Sequence, residues 1–286
     1  MSASANDAAG YSESLIKSSL IRRCALSPSM IARIRNAETT LGLSFAEAAL
    51  TLHLVTQEDI TAVRARDRGI SLVQRNRLIP SDKLMLVNDP YSTHSENVRA
   101  LRTELLLRRG VAGQADCVAV LSPGSGEGRS YLAAELAIAF AQIGQPTLLV
   151  DADLRHPTQH LLFGADNQRG LSDALTEDTA PCLHPVQGLP QLFVLPAGTA
   201  QHNPLELLSD SRFERVVEEW RWTFSFVVLD TSPADRYSDG LAVAKLIGRV
   251  LLLSRAQHTS YRQTKDLLRR LSATQSQILG AVINHF

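Results

Sequence analysis

The chain has 286 residues, 44% of them apolar, which is enough for one α/β domain of ordinary size and a small additional unit. Lys plus Arg equals Asp plus Glu at 29 each, so the composition favours neither a nucleic-acid partner nor a polybasic membrane anchor. No apolar run approaches the length of a membrane-spanning helix, and the first residues lack the apolar region of a secretory signal. The cysteines are far apart and odd in number, which favours a reducing cytoplasm over a disulfide framework or a metal site.

The N-terminal part of the chain divides into a polar start and a helical unit. Residues 1–25 are predicted to form a disordered tail, and residues 26–80 a small helical domain with amphipathic helices. One of these helices has the sequence SFAEAALTLHLV. The two others begin with helix-cap signals, which are Ser27 followed by Pro28, and Thr56 followed three positions later by Asp59.

This helical domain resembles the N-terminal domain of secretion and pilus ATPases, some of which bind a cyclic dinucleotide. The resemblance breaks off at the family's Arg-Leu-Gly start, where this chain has Ser44, Phe45 and Ala46. Because the polar and glycine contacts of a ligand site are missing, we expect the domain to serve packing or protein docking.

Residues 81–92 are rich in polar turn residues and are predicted to be a linker. The helix that follows has the sequence SENVRALRTELLLRR, and Ser95 can cap it. Glu96, Arg99 and Arg102 recur at every third position, so they lie on one helix face. Taken alone, such a charged face is typical of a helix surface that is exposed to solvent.

From Asp116 onward, apolar strand segments alternate with helical segments. The strand segments, such as CVAVLS, PTLLVDAD and FSFVVLDTSP, are nearly continuous apolar runs, which indicates a parallel sheet buried on both faces. Residues 93–286 are therefore predicted to form a doubly wound α/β domain, whose ligands bind at the carboxyl edge of the sheet.

A glycine loop joins the first of these strands to the next helix, with the sequence SPGSGEGRS over residues 122–130. Such a loop exposes backbone N–H groups beside a helix N-terminus and so attracts phosphate. The phosphate-loop pattern G-x-x-x-x-G-K-[ST] is partly met, because Pro123 replaces its first glycine and Arg129 its lysine. The predicted nucleotide-binding residues here are Gly124, Ser125, Gly126, Glu127, Gly128, Arg129, Ser130 and Tyr131.

Three aspartates follow buried strand segments. Asp151 and Asp153 end one strand, and Asp230 ends a later one. A single aspartate in such a place can be a turn cap, but three beside a glycine loop indicate a site for a Mg²⁺–nucleotide complex. We therefore predict a P-loop NTPase domain that binds Mg²⁺ and a nucleoside triphosphate.

The residue types suggest a division of roles among the catalytic candidates. Ser130, Asp153 and Asp230 are the predicted metal ligands, acting directly or through water. Asp151 is expected nearest the terminal phosphate, where it can accept a proton from an attacking hydroxyl. Arg129 is expected to reach the β- and γ-phosphates, since it keeps the charge of lysine, although its planar fork is bulkier.

The motifs SPGSGEGRS, LLVDADLRHP and VVLDTSP resemble Walker A, A′ and B of the bacterial tyrosine kinases that accompany exopolysaccharide chain-length determinants. The resemblance covers residues 93–286, and the loop arginine together with the N-terminal domain is similar to the EpsG type. It implies an ATP-dependent protein tyrosine kinase that regulates exopolysaccharide chain length and export. The implied partner is a Wzz-like membrane chain-length determinant, which would hold this cytoplasmic chain at the inner face of the bacterial membrane.

The resemblance also implies roles for two further regions. The segment ENVRALR matches the family's E-x-x-R-x-x-R helix, which implies that Glu96, Arg99 and Arg102 mediate assembly of a homo-oligomeric ring. Asn284 follows the terminal strand, at a position where relatives contact the adenine base.

Two departures from the family leave alternatives open. The chain ends in INHF without a tyrosine cluster, which leaves Tyr11 on the predicted tail as the flexible phosphate acceptor, and Arg129 replaces the loop lysine. An ATP-loaded scaffold without catalysis is therefore one alternative, and a nucleotide switch of the Min/Par partitioning type is another. The E-x-x-R-x-x-R helix, and a glycine at position 124 where the switches carry an extra lysine, argue against the switch.

Overall fold

A computed structural model of the chain describes residues 16–17, 19–21, 23–24, 26–57, 59–60, 63, 71–72, 78–108 and 115–285. The chain divides into two compact units, Met1–Leu72 and Val73–Phe286. The predicted end of the helical domain at residue 80 therefore lies too far along the chain. Each unit has a hydrophobic core of its own.

The first unit contains two helices whose full bounds are described, α1 (Pro28–Leu41) and α2 (Phe45–Thr51). Ser27 caps α1 as predicted, because its hydroxyl accepts a hydrogen bond from the Met30 amide. Ser44 caps α2, which confirms the predicted helix in SFAEAALTLHLV. The helix ends at Thr51, four residues before the end of that sequence.

The third predicted helix start is also present. The Asp59 carboxylate accepts a hydrogen bond from the Thr56 amide at 3.0 Å, and Thr56 Oγ1 accepts one from the Asp59 amide at 3.2 Å. A two-residue extended segment, Ser71–Leu72, ends the unit.

The prediction of a disordered tail over residues 1–25 is wrong for its second part. The described residues between positions 16 and 24 are helical, apart from a turn at Cys24. Leu20 is fully buried in the same core as Ile34 and Phe45, and this apolar burial stabilises the ordered segment. The earlier residues, including Tyr11, lie outside the part of the chain that the structure describes.

The prediction of a linker over residues 81–92 is wrong, because this segment packs into the core of the second unit. Leu84 and Leu86 are buried there, at the start of the short helix α3 (Met85–Asn88). The Glu135 carboxylate accepts hydrogen bonds from the amides of the first two α3 residues, at 2.6 and 3.1 Å. The polar residues that suggested a linker form the turns on either side of α3.

Helix α4 (Thr93–Leu107) carries the charged face that the sequence indicates. Ser92 caps it instead of Ser95, because the Ser95 amide donates to Ser92 Oγ at 3.2 Å. Ser95 itself is buried, and its hydroxyl donates to the Asp89 carbonyl at 2.8 Å. The helix therefore begins earlier than predicted, at a turn closed by Asp89 and Ser92.

The strands of the second unit are β1 Asp116–Leu121, β2 Thr147–Asp151, β3 Cys182–Val186, β4 Leu189–Leu195, β5 Phe226–Asp230, β6 Arg249–Arg255 and β7 Gln277–Asn284. They pair in the spatial order β3-β4-β2-β5-β1-β6-β7. Neighbouring strands are parallel, except that β3 pairs antiparallel with β4. The predicted doubly wound parallel sheet is confirmed, with one antiparallel hairpin that the sequence analysis did not foresee.

The helices around this sheet are α5 Arg129–Gln142, α6 Gln159–Phe163, α7 Leu171–Glu177, α8 Pro204–Ser209, α9 Ser211–Thr223, α10 Asp239–Ile247 and α11 Tyr261–Ser272. Helix α5 follows the glycine loop and is buried along almost its whole length. Within the described ranges, no helix combines the length and the apolar content needed to traverse a bilayer.

The strand register places the candidate residues together. Strand β5 lies between β1 and β2, and Asp230 at its end is directly opposite Asp151 of β2. The glycine loop leaves β1 at the same edge of the sheet. The parallel arrangement therefore assembles the predicted site at the carboxyl ends of three adjacent strands.

Candidate active site

The glycine loop between β1 and α5 has the backbone conformation of a phosphate cradle. Gly126 and Gly128 have φ angles of 70° and 98°, in the left-handed region that favours glycine. A Cβ atom at Gly124 would lie 3.2 Å from Glu127 Oε1, so this position is also sterically tight. The loop leads into the 14-residue helix α5, and the first amides of such a helix can bind an anion.

Arg129 lies inside this loop, where it is only 7% exposed. Its Nε donates to the Thr231 carbonyl at 2.8 Å, and its Nη1 donates to the Gly124 carbonyl at 2.6 Å. Nη1 also donates to Ser122 Oγ. We expected this side chain to reach the phosphates, but three acceptors of the protein itself engage the guanidinium and tie the loop to the end of β5.

A second set of hydrogen bonds fastens the loop to the ends of β6 and β7. The buried Glu127 accepts a hydrogen bond at Oε1 from Thr259 Oγ1 at 2.5 Å, and its carbonyl accepts one from Asn284 Nδ2 at 3.0 Å. Arg255 Nη1 donates to the Gly126 carbonyl at 3.2 Å. The predicted residues Glu127 and Asn284 therefore support the shape of the loop from its outer side.

Asp151 is fully buried at the end of β2. Its Oδ1 accepts a hydrogen bond from the Asp153 amide at 3.2 Å, and its Oδ2 accepts one each from the Thr158 and Gln159 amides at 2.9 Å. Burial, and next the negative charge of Asp230, raise the pKa of Asp151 well above its ordinary value. The three amides orient the carboxylate, and the hydrogen bonds from the Thr158 and Gln159 amides offset part of the rise in its pKa.

Asp230 is also fully buried, and its two carboxylate oxygens differ in their hydrogen bonding. Oδ2 accepts a hydrogen bond from Gln159 Nε2 at 2.9 Å, whereas Oδ1 is without a hydrogen-bond partner in the described part of the chain. Burial raises the pKa of Asp230 to about 6, although the charge of Arg129 and hydrogen bonds from Ser130 and Gln159 lower it. A buried carboxylate oxygen without a donor points to a ligand that completes it, such as a cation or its bound water.

Asp153 shapes the segment that follows β2. Its Oδ1 accepts hydrogen bonds from the Arg155 amide at 3.3 Å and the His156 amide at 3.0 Å. Arg155 pairs with the buried Asp239, with Nε 2.5 Å from Oδ2, and lies 4.2 Å from the ring centroid of Tyr237. These bonds fasten the segment after β2 to the segment after β5.

The arrangement suits a magnesium ion that is held together with phosphate. Asp151 and Asp230 lie opposite each other at the sheet edge, and the negative charge of Asp153 contributes to the raised pKa of both. The donors at this place are oxygen atoms, as Mg²⁺ prefers. No cluster of three or more His, Cys, Asp or Glu within the described ranges forms a full metal cage. Ser130 and Asp230 would thus hold the ion together with water and phosphate oxygens.

A cavity of about 370 Å³ opens beside the loop, between α4, the start of α5 and the end of β7. Apolar side chains such as Val98 and Leu253 line most of it, and Gly128 connects it to the phosphate cradle. Asn284 and His94 supply polar groups, and His94 Nε2 is buried without a partner among the described residues. A flat heteroaromatic group with hydrogen-bonding edges fits this lining.

Tyr131 lines the same cavity but also has a structural role. Its hydroxyl donates to the Lys83 carbonyl at 3.1 Å. Burial, and next the charge of Glu135, raise the pKa of Tyr131 to about 12. This tyrosine therefore holds the segment before α4 against α5.

The charged residues of α4 separate into an ion pair between exposed Glu96 and half-buried Arg99, and an arginine that bonds to α5. Arg99 Nη1 lies 2.6 Å from Glu96 Oε1 on the surface. Arg102 Nη1 donates to the Ala139 carbonyl of α5 at 3.1 Å, and burial lowers the pKa of Arg102. Arg102 thus attaches α4 to α5, and the surface part of the predicted oligomer contact consists of Glu96 and Arg99.

Sequence reasoning missed three residues of the site. Gln159 Nε2 donates to both Asp230 Oδ2 and the Ser130 carbonyl, and Thr158 Oγ1 donates to Ser130 Oγ at 3.1 Å. The third is His94, which lies on the charged helix two positions before Glu96. The only sequence signal for Thr158 and Gln159 is that they are polar residues in a segment leaving the carboxyl edge of the sheet.

Comparison with known proteins gives relatives along most of the chain. No family model matches it. Tyrosine-protein kinase YwqD of Bacillus subtilis is 33% identical over 222 residues, which are 77% of this chain and 89% of YwqD. The kinase domain of the Escherichia coli tyrosine kinase ETK aligns with a TM-score of 0.66 and 26% identity, over 77% of this chain and 91% of that domain.

A more distant structure shares the fold. Cobyrinic acid a,c-diamide synthase from Mycobacterium smegmatis, with a bound ATP analogue and magnesium, aligns with a TM-score of 0.53 and 19% identity. The match covers 59% of this chain and 72% of the synthase. At this identity the likeness concerns the architecture alone.

The buried carboxylates predict how the stability of the metal-free protein depends on pH. Because the pKa of Asp230 is about 6 in the folded state and 3.8 when unfolded, the folded state binds more protons between these values. The free energy of unfolding should therefore rise as the pH falls from about 7 to about 5, with this group contributing about 3 kcal/mol at most. Asp230→Asn should raise the melting temperature at neutral pH and flatten the profile.

Thermal melting in chelator at several pH values checks this expectation. Asp178→Asn is the matched control, because Asp178 is exposed and its ion pair with Arg215 lies on the surface. A lower melting temperature for Asp230→Asn at neutral pH, with an unchanged pH profile, would contradict the assigned burial cost.

Proposed function

Because this chain belongs to the bacterial tyrosine kinase family, we propose that its second unit binds Mg²⁺–ATP and transfers the γ-phosphoryl group to a tyrosine hydroxyl. The observation that carries the proposal is the buried Oδ1 of Asp230, which lacks a partner among the described residues and lies at the sheet edge where the glycine loop begins. A metal–phosphate complex would supply the positive charge that this oxygen requires.

The glycine loop is the proposed binding site for the triphosphate. The left-handed backbone at Gly126 and Gly128 lets the loop turn around an anion, and the N-terminus of α5 adds its dipole. Arg129 holds the loop in this shape through its carbonyl contacts and contributes positive charge close by. Its proposed role is therefore to maintain the cradle and its electrostatic potential.

Ser130 and Asp230 are the proposed holders of Mg²⁺, with Asp153 acting at longer range. Gln159 Nε2 donates to both the Ser130 carbonyl and Asp230 Oδ2, so the two residues are close enough to share one ion. When bound, Mg²⁺ neutralises charge on the phosphate oxygens. Gln159 fixes Asp230 Oδ2 and leaves Oδ1 for the ion or its water.

Asp151 is the proposed proton acceptor. A carboxylate offers about four lone-pair sites, and three backbone amides occupy sites on Asp151, which leaves room for a phenolic hydroxyl. Its raised pKa brings its basicity closer to the working pH. The phenol oxygen then bonds to the γ-phosphorus, the bond to the β–γ bridging oxygen breaks, and ADP leaves.

The cavity beside the loop is the proposed site of the purine. Its volume of about 370 Å³ lies within the range of roughly 300–1,000 Å³ usual for ligand pockets. His94 Nε2 and the Asn284 amide offer hydrogen bonds to the edges of a base, and the apolar walls can cover its faces. This supports the expectation that Asn284 faces the nucleotide.

The biological setting is proposed from the family resemblance. The chain would regulate exopolysaccharide chain length and export, with a Wzz-like membrane protein as partner at the inner face of the membrane. The helical first unit is the proposed docking element. Cross-linking in the producing cells should capture such a partner, and loss of the cross-link on removing the first unit would assign the contact to that unit.

Asp151→Asn should reduce phosphoryl transfer to a tyrosine-containing copolymer by about 10²- to 10⁴-fold, because a general base is removed. The amide keeps one acceptor oxygen for the neighbouring amides, so the fold and ATP binding should persist. Labelling with radioactive ATP measures transfer, and calorimetry measures binding. Asp178→Asn serves as the exposed control, and transfer at the unmodified rate in Asp151→Asn would refute the role of Asp151.

Arg129→Lys separates a kinase from an ATP-loaded scaffold, which the engaged guanidinium favours as the second candidate. Lysine cannot satisfy all three acceptors, so the protein should lose roughly 1–3 kcal/mol of stability. The freed ammonium should reach the phosphates and raise the transfer rate.

Copolymer labelling and melting temperature are compared for wild type, Arg129→Lys and the exposed control Arg262→Lys. Absence of transfer in both wild type and Arg129→Lys, with ATP bound in both, would leave the scaffold as the function.

Arg99→Ala tests the proposed homo-oligomer contact. Among the described residues the Arg99 side chain pairs with Glu96, so its removal should lower the oligomer mass and leave the melting temperature of the chain nearly unchanged. Arg102→Ala is unsuitable alone, since it also breaks the bond from α4 to α5. Light scattering measures the oligomer mass of Arg99→Ala and of the control Arg262→Ala. An unaltered mass in Arg99→Ala would exclude Arg99 from the contact.

A further inference from the structure

A tyrosine of this chain can itself be the phosphate acceptor of the proposed kinase. The five tyrosines are Tyr11, Tyr91, Tyr131, Tyr237 and Tyr261. An acceptor must place its hydroxyl beside a triphosphate at the sheet edge, where Asp151 and Asp230 are fully buried. It therefore has to protrude from the protein that carries it.

Two of the described tyrosines do not meet this requirement. The Tyr131 hydroxyl donates to the Lys83 carbonyl, and burial raises its pKa to about 12. Tyr237 is only partly exposed, and its ring stacks under the Arg155 guanidinium. Presenting either one would require the loss of packing next to the site itself.

Tyr261 is 81% exposed, but its backbone belongs to the first turn of α11. That turn is closed by a capping box, in which Ser260 Oγ accepts from the Gln263 amide and Gln263 Oε1 accepts from the Ser260 amide. Extending Tyr261 into a deep site would unwind a capped helix start.

Tyr91 is 91% exposed and lies on the turn between α3 and α4. The turn is fixed by its flanks, since the Asp89 carbonyl accepts from Ser92 Oγ at 2.9 Å and from Ser95 Oγ at 2.8 Å. Tyr91 makes no hydrogen bond to the described residues, through either backbone or side chain. The turn therefore holds a free phenol in a defined position outside the protein.

We propose that Tyr91 is the principal phosphate acceptor, and that the kinase site of a second copy of this chain modifies it. This inference rests on the proposed function. Because the flanking hydrogen bonds hold Tyr91 toward solvent, its phenol is accessible to the site of another copy. Its oxygen bonds to the γ-phosphorus of ATP held by the other copy, the phenolic proton passes to that copy's Asp151, and ADP is released.

The position of Tyr91 gives the modification a structural consequence. It directly precedes Ser92, the cap of the 15-residue helix α4, which carries the Glu96–Arg99 ion pair. A phosphate there adds negative charge next to a helix N-terminus, where it favours the helix. It also changes the charge beside the proposed oligomer contact.

The test incubates the full chain with Mg²⁺–ATP and locates phosphotyrosine by mass spectrometry. Wild type, Tyr91→Phe, Tyr261→Phe and Tyr11→Phe are compared, and each is also assayed on a glutamate–tyrosine copolymer. Tyr91→Phe should lose most self-labelling while keeping copolymer labelling and melting temperature, and the other two variants should label as wild type does. Unchanged self-labelling in Tyr91→Phe, or phosphate mainly on Tyr261 or Tyr11, overturns the proposal.

A mixing experiment tests transfer between copies. Isotope-labelled Asp151→Asn chain serves as acceptor and wild type as donor, and phosphate on Tyr91 of the labelled chain is the expected result. Phosphate on Tyr91 of the wild type, with none on the labelled chain, would show that transfer occurs within one copy. That result would overturn the proposed transfer between copies. If wild type labels the copolymer but never itself, this inference fails and the proposed kinase stands; if it labels neither, both fail.

Discussion

Two carboxylates without contact to solvent face each other at the ends of adjacent parallel strands, and the remainder of the site is arranged around this constraint. Asp151 and Asp230 are register partners, so the sheet itself fixes their approach. Like charges in a buried place are unfavourable, and the surrounding groups are almost all donors: three amides on Asp151, and Gln159, Ser130 and the charge of Arg129 on Asp230. These donors do not fully balance the negative charge, because Asp230 Oδ1 accepts no hydrogen bond from the described residues. The site is therefore built for a cationic ligand.

Arginine in place of the loop lysine has a local explanation. A guanidinium offers five donors in a planar fork, and here it bonds to Thr231, Gly124 and Ser122 at once. A lysine ammonium is a more compact charge that cannot span these acceptors in the same way. The arginine therefore places its positive charge within the loop, where its hydrogen bonds stabilise the shape of the loop.

Local sequence signals predicted the parts of the fold that depend on neighbouring residues. The caps at Ser27 and at Thr56 with Asp59, the buried strands, and the aspartates at their ends are encoded within a few positions, and the structure contains them. The errors concern partners distant in sequence. The segment that contains Leu84 and Leu86 looks like a linker in the sequence, because the residue that fixes its helix, Glu135, is about fifty positions away.

The same reason explains the residues that were missed. Gln159 belongs to the site only because α6 begins beside β5, which no local pattern shows. Likewise, α4 is capped by Ser92 because Asp89 closes the preceding turn. A single sequence predicts periodicity and caps well, and contacts across the fold poorly.

Helix α5 connects the features on which the proposed function depends. It begins at Arg129 beside the triphosphate site, binds the α3 segment through Glu135, and accepts a hydrogen bond from Arg102 of α4 at Ala139. Because α5 is buried along almost its whole length, it packs closely against the elements around it. Any displacement at its phosphate-binding end would therefore also displace the segment that leads to Tyr91 and the helix that carries Arg99. Nucleotide binding, presentation of the acceptor and contact between copies would respond through this one helix.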